Sequence, residues 1–162
     1  MNIEIISSVL IVLGAANGAP ILAARILDER FARPVDGGRL AADGSPWLGP
    51  SKTWRGIGSA YLLAMPIALY LGFSLFTAFS LAGLSMCGDL ASSFIKRRRG
   101  MLSSSRAIGL DQVPEAGLPI LFLWTKADIT VMEGVVIVML FIAAEVLLSK
   151  VLFYLHIRKR PY

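Results

Sequence analysis

The chain has 162 residues, of which 56% are apolar and 17% charged, with a formal net charge of +5 and a mean hydropathy of +0.67. A soluble domain of this length cannot hide that much apolar surface, so a water-soluble fold is excluded. The cations cluster between apolar runs instead of striping a polar face, which argues against nucleic acid and for lipid headgroups and phosphates as partners.

A spanning helix needs about 20 apolar residues, and runs of this kind recur along the chain, predicting an all-α bundle of about five transmembrane helices in one membrane domain, 1–162. The first span, about 4–26, starts beside Glu4 and outruns a signal-peptide core, so it is expected to stay in the mature protein. Its alanines and glycines allow close helix contact, which serves internal packing and a homo-oligomer equally well. Spans at about 57–73 and 75–95 follow, joined by a short turn around Gly72–Ser74, with Pro66 as a kink candidate. The fourth, about 115–126, is short and must recruit neighbours or lie inside the bundle. The fifth runs over about 134–156; its Glu145 and Lys150 are five apart, too far round a helix to pair well. The single cysteine, Cys87, rules out an internal disulfide.

Fourteen of the sixteen Lys and Arg residues fall in the 25–56 loop, the 96–115 loop and the tail. With five spans all three lie on one face, which the positive-inside rule makes cytoplasmic. The polar residues collect on that face. Residues 28–56 and 96–114 are therefore the expected active-site loops of a multi-pass inner-membrane protein. Trp47, Trp54, Trp124 and Tyr162 lie near span boundaries, where amphipathic rings favour the interface.

In GDLASSFIKRRRG (88–100), Asp89, Ser92, Ser93 and Lys96 are spaced i, i+3, i+4, i+7 and share one helix face. An ionisable group inside a span costs at least about 2.5–3.5 kcal/mol, so it normally faces a partner or a cavity. An internal Asp89–Lys96 pair with Arg97–Arg99 as a stop-transfer anchor is one reading. A site is the other. PVDGGRLAADGSPWLGPSKTWRG (34–56) brings Asp36, then Ser51, Lys52, Thr53 and Arg55, to the start of the second span, and such a Gly/Pro-rich loop feeding a helix N-terminus suits a polyphosphate, although turn chemistry plus an N-cap explains it too. SSSRAIGLDQVPEAGLP (103–119) adds Asp111, with Glu115 one turn on. Carboxylates on two adjacent helix ends, Asp89 and Asp111, are what Mg2+ bridging substrate phosphates requires, and nearby cations would neutralise a leaving pyrophosphate.

SKTWRG (51–56), GDLASSFIKRRRG (88–100) and GLDQ (109–112), in that order, resemble the CDP-archaeol synthases and, more distantly, the phosphatidate cytidylyltransferases, over residues 17–117. The resemblance implies magnesium-dependent transfer of CMP from CTP to a membrane lipid phosphate, giving a CDP-lipid and pyrophosphate. It implies Asp89 and Asp111 as metal carboxylates and catalytic residues, with Lys52, Arg55, Lys96 and Arg97 on phosphates and Ser51, Thr53 and Ser93 beside them. Asp36 would face the nucleotide or metal, and Asn17 would lie near the same site. The family pattern has a second aspartate three residues after that of LDQ; here Pro114 stands in that place and Glu115 follows. The interval MLSSSRAIG is shorter than the corresponding stretch of the phosphatidate enzymes, which leaves the lipid open.

Two other readings compete. A small transporter or channel subunit would need polar residues along several spans, whereas here they gather at one face. A CDP-alcohol phosphatidyltransferase would continue DGG (36–38) with further aspartates at helical spacing, and only Asp43 follows. The sole histidine, His156, beside the basic tail, is expected to be exposed or on headgroups. A phosphomonoester nucleophile is already anionic and needs no base.

Overall fold

The computed structural model describes residues 1–103, 105, 107, 109–126 and 128–154, apart from the side chain of Leu152. His156, Arg106, Tyr162 and the tail cations at 158–160 lie outside the described residues. Five α-helices make up the fold: α1 (Ile3–Leu27), α2 (Trp54–Tyr70), α3 (Leu75–Arg98), α4 (Gln112–Thr125) and α5 (Val131–Tyr154). Among the described residues there are no strands beyond two isolated bridges within the α1–α2 loop. α1, α3 and residues Val131–Val151 of α5 are long and apolar enough to cross a membrane; α2 has 17 residues and α4 has 14.

The helices pack in chain order, α1 on α2, α2 on α3, α3 on α4 and α4 on α5, and α1 closes the bundle against α3 and α5. α2 turns Ala60, Ala64 and Ala68, all fully buried, toward the core. Their i, i+4, i+8 spacing makes one smooth stripe on which α1 can lie closely, the way membrane helices associate without a hydrophobic driving force. Val9, Val12, Leu13 and Ala16 of α1, Leu81 and Ala82 of α3, Ile120 and Leu123 of α4, and Ile137 and Phe141 of α5 complete the core. As expected of so short a helix, α4 lies partly inside the bundle, with Gln112, Glu115, Ala116, Pro119, Ile120 and Leu123 buried while Val113 and Leu121 are exposed.

α2 begins three residues earlier than the apolar run suggests, because Thr53 caps it: its Oγ1 accepts the Gly56 N–H at 3.1 Å. α3 likewise runs on to Arg98, carrying Lys96 and Arg97 into a buried position at its end. The loop between α1 and α2 folds back on itself through the bridges Pro34–Thr53 and Leu40–Pro46. It docks on the end of α3, where Arg98 bonds Asp43 at 2.8 Å and the carbonyls of Ser45 and Pro46, and Trp47 packs on Phe94 with ring centres 5.6 Å apart. Asp43 is thus paired with a cation rather than joining Asp36 in an acidic cluster.

Candidate active site

Asp89 lies nine residues before the end of α3, about 13 Å inside it. The loop just ahead of α2 brings Lys52 onto it, and Lys52 Nζ donates to both carboxylate oxygens, at 2.6 and 2.7 Å. Glu115, buried on α4, brings its carboxyl group within interaction range of Asp89. Two carboxyl groups at that range are held by a shared proton or by a cation. Gly88 explains the closeness: a methyl group there would overlap the Pro114 carbonyl and the Glu115 amide, so α3 and α4 touch backbone to backbone beside Asp89.

A second pair stands at the rim. Lys96 Nζ lies 2.6 Å from Asp111 Oδ1 and donates to the Ser105 carbonyl at 3.0 Å. Asp111 precedes α4 without capping it; its Oδ2 accepts the Ala107 N–H at 2.9 Å, whereas the buried Oδ1 has no well-oriented donor. Arg97 is 4% exposed, donates through Nη2 to the Leu102 carbonyl at 2.7 Å, and leaves its buried Nε without a partner. Ser92 Oγ returns to the Asp89 carbonyl, and Ser93 is buried beside it. Ser51 Oγ meets Ser103 Oγ at 3.1 Å, joining the two polar loops.

Of the expected site residues, Lys52, Asp89, Ser93, Lys96, Arg97 and Asp111 therefore gather on α3 and the segments flanking it. The internal Asp89–Lys96 pair does not form; each residue bonds across to another segment. Three expected contacts are otherwise employed. Arg55 Nη1 donates to the carbonyls of Asp28 and Arg30, at 2.7 and 2.6 Å, holding the turn that leaves α1, where Asp28 and Phe31 have positive φ. Asp36 accepts the N–H groups of Gly38, Leu48 and Gly49 at 2.9–3.0 Å and so organises the loop. Burial pushes its carboxyl up, but the bonds from Gly49, Leu48 and Gly38 outweigh this and hold it below its ordinary value. Thr53 is the cap of α2. Asn17 bonds Ser85 Oγ at 2.8 Å and the Leu13 carbonyl, and faces a groove between α1 and α5.

Glu115 is the site residue that the motifs under-weighted. Its signal was the glycine before Asp89, a close-contact position, and the acid one turn into the short span. Among the described residues, no three His, Cys, Asp or Glu side chains gather into a self-sufficient metal cage. Mg2+ needs no such cage, since one or two carboxylates with waters and substrate phosphates complete its octahedron. The Asp89–Glu115 pair and the Asp111 oxygen that faces Lys96 fit that donor set.

Residues 58–162 match the family model described as CarS-like, CDP-archaeol synthase. The chain is 39% identical over 105 residues to the CDP-archaeol synthase of Hyperthermus butylicus, an alignment covering 61% of this chain and 60% of that protein. Against the Thermococcus kodakarensis CDP-archaeol synthase it is 39% identical over 109 residues, again 60% of each. These alignments thus span less than two thirds of the relatives' own length. The CDP-archaeol synthase of Pyrobaculum islandicum is 30% identical over 152 residues, 91% of both chains. A solved structure, described as an intramembrane enzyme for archaeal membrane lipids biosynthesis, superposes with a TM-score of 0.75 at 23% identity, covering 88% of this chain and 90% of that one, and so shares the fold.

Proposed function

We infer from the family to which this chain belongs, the CarS-like CDP-archaeol synthases, that it transfers CMP from CTP to a membrane lipid phosphate. The observation that carries the inference is the convergence of Lys52, Asp89 and Glu115 beside the Lys96–Asp111 pair, acids and cations alternating at one end of a membrane bundle. A non-bridging oxygen of the lipid phosphate attacks the α-phosphorus of CTP. A new P–O bond forms as the bond from that phosphorus to the β-phosphate oxygen breaks, and pyrophosphate leaves with the electron pair. No proton has to be removed from the nucleophile, which is already anionic near neutral pH.

Asp89, Glu115 and Asp111 are the residues that would hold magnesium, with the carboxylates now paired to lysines as its ligands. Magnesium, when bound, supplies charge neutralisation and orientation of the phosphates. Lys52 and Lys96, once released from Asp89 and Asp111, would offer their ammonium groups to polyphosphate oxygens. Arg97 offers a buried donor that has no protein partner. Such groups lower the barrier by meeting charge as it develops on the leaving pyrophosphate, and preorganised donors of this kind are worth roughly 100- to 1,000-fold each. The loops carrying Lys52 and Ser103 belong to the cation-rich side, which the positive-inside rule places in the cytoplasm, where CTP is found.

Purified protein incubated with labelled CTP, Mg2+ and a panel of lipid phosphates, both isoprenoid ether and acyl ester, tests this reading. Label should appear in a CDP-lipid with release of pyrophosphate, and the lipid that reacts names the substrate. Absence of labelled lipid across the panel, from folded protein, would refute it.

A further inference from the structure

α1 and α5 run side by side and are pinned at their N-terminal ends, where the Asn2 N–H donates to Glu133. Further along, a groove of about 110 Å³ opens between them, walled by Phe141, Ala144 and Leu148 of α5 and by α1 around Gly14 and Gly18. Glycine is costly inside a helix, and at Gly88 the cost is explained by backbone contact. Gly14 and Gly18 have no such explanation: a Cβ at either would meet no atom within 4 Å. Spaced i, i+4, they form the floor of an open slot. Exposed Ile11 and Leu22 lie on the same side of α1 as Gly14 and Gly18, and both helices are among those long and apolar enough to cross a membrane.

Two groove residues lead toward the polar site. Asn17 and Glu145 line the groove, Asn17 reaching Ser85 of α3 and Glu145 lying close enough to Glu115 for their charges to interact. Glu115 in turn lies beside Asp89. The polar lining, Asn17 and Glu145, faces toward Glu115 while the rest of the slot is apolar, a division that suits an amphiphile whose head is held at the site and whose tail lies along the helices.

Resting on the function proposed above, we propose that this groove seats one hydrocarbon chain of the lipid phosphate, and that Gly14 and Gly18 admit it. The chain would enter sideways from the bilayer, with its phosphate delivered at the Glu115 end.

Gly14→Leu and Gly18→Leu put branched side chains into the slot from positions where the Cβ itself meets no atom within 4 Å. The KM for a long-chain dialkylglycerol phosphate is expected to rise at least about 10-fold, with the KM for CTP and the rate on a short-chain, water-soluble analogue unchanged. A long-chain KM equal to wild type in both variants overturns the proposal. So does a change in oligomeric mass in nanodiscs without a change in lipid KM, which would make the face a contact with a second copy. A long-chain lipid phosphate carrying a diazirine, photolysed in vesicles, provides a readout independent of turnover. It should label residues 10–21 and 141–149 in wild type and lose that label in Gly18→Leu, and labelling elsewhere overturns the groove even in an inactive preparation. Failure of wild type to convert any lipid phosphate, with the label still in the groove, would instead sink the enzymatic reading alone.

Discussion

Gly88→Ala perturbs the contact that brings α3 and α4 together beside Asp89. The added methyl would stand 2.6 Å from the Glu115 amide nitrogen and closer still to the Pro114 carbonyl, against rigid backbone rather than a movable side chain. Ordinary contact between such atoms begins near 3.5 Å, so the helices must part by roughly 1 Å. Overpacking of this kind costs about 1–3 kcal/mol of stability. The catalytic effect is larger, because a displacement of about 1 Å between Asp89 and Glu115 misplaces reacting groups and is worth roughly 100-fold in rate. Thermal unfolding in detergent and initial rates of CDP-lipid formation measure the two effects. Gly117→Ala is the control, on the same α4 but with nothing within 4 Å of the new methyl, and it should be close to neutral. Wild-type rates and unfolding temperature in Gly88→Ala would refute the close approach of the two helices as the device that builds the site.

Glu115→Gln can donate an amide N–H to Asp89 but removes a carboxylate charge; the protein should stay folded while the magnesium concentration for half-maximal rate rises at least about 10-fold. Lys52→Arg can still pair with Asp89 through its fork, yet the charge is moved and spread, so turnover should fall roughly 10-fold or more with little change in unfolding temperature. Asp36 has a folded-state value below its ordinary 3.8. Its stabilisation of the loop is therefore fully present above about that pH and is lost only as pH falls through the lower folded value. Hydrogen exchange at the Leu48 and Gly49 amides, corrected for intrinsic rates, should remain slow through mildly acidic pH, and Asp36→Asn should speed it across that range, the difference closing once Asp36 itself is protonated.

The helices could be read from the sequence because four of the apolar runs are long and all are bounded by turn residues or charge, and the shortness of the fourth pointed to a place partly inside the bundle. The cation-rich loops and the acids at 89 and 111 were visible for the same reason: charge next to a span has to be explained. Partner choice was not visible. Asp89 and Lys96 share a helix face, yet Asp89 binds Lys52, 37 residues away, because the α1–α2 loop folds back through its two bridges. Arg55 and Asp36 carry the right charges for a ligand, but each has unpaired loop backbone within reach and satisfies it. A sequence pattern cannot tell a charged side chain that waits for substrate from one that holds its own loop.

The most direct measurement is the single-turnover transfer of labelled CMP to lipid phosphate by Asp89→Asn and Asp111→Asn, with unfolding temperatures measured alongside. If these acids form the magnesium and phosphate site, both rates should fall at least about 100-fold in proteins that remain folded. Transfer at the wild-type rate in both would contradict the site.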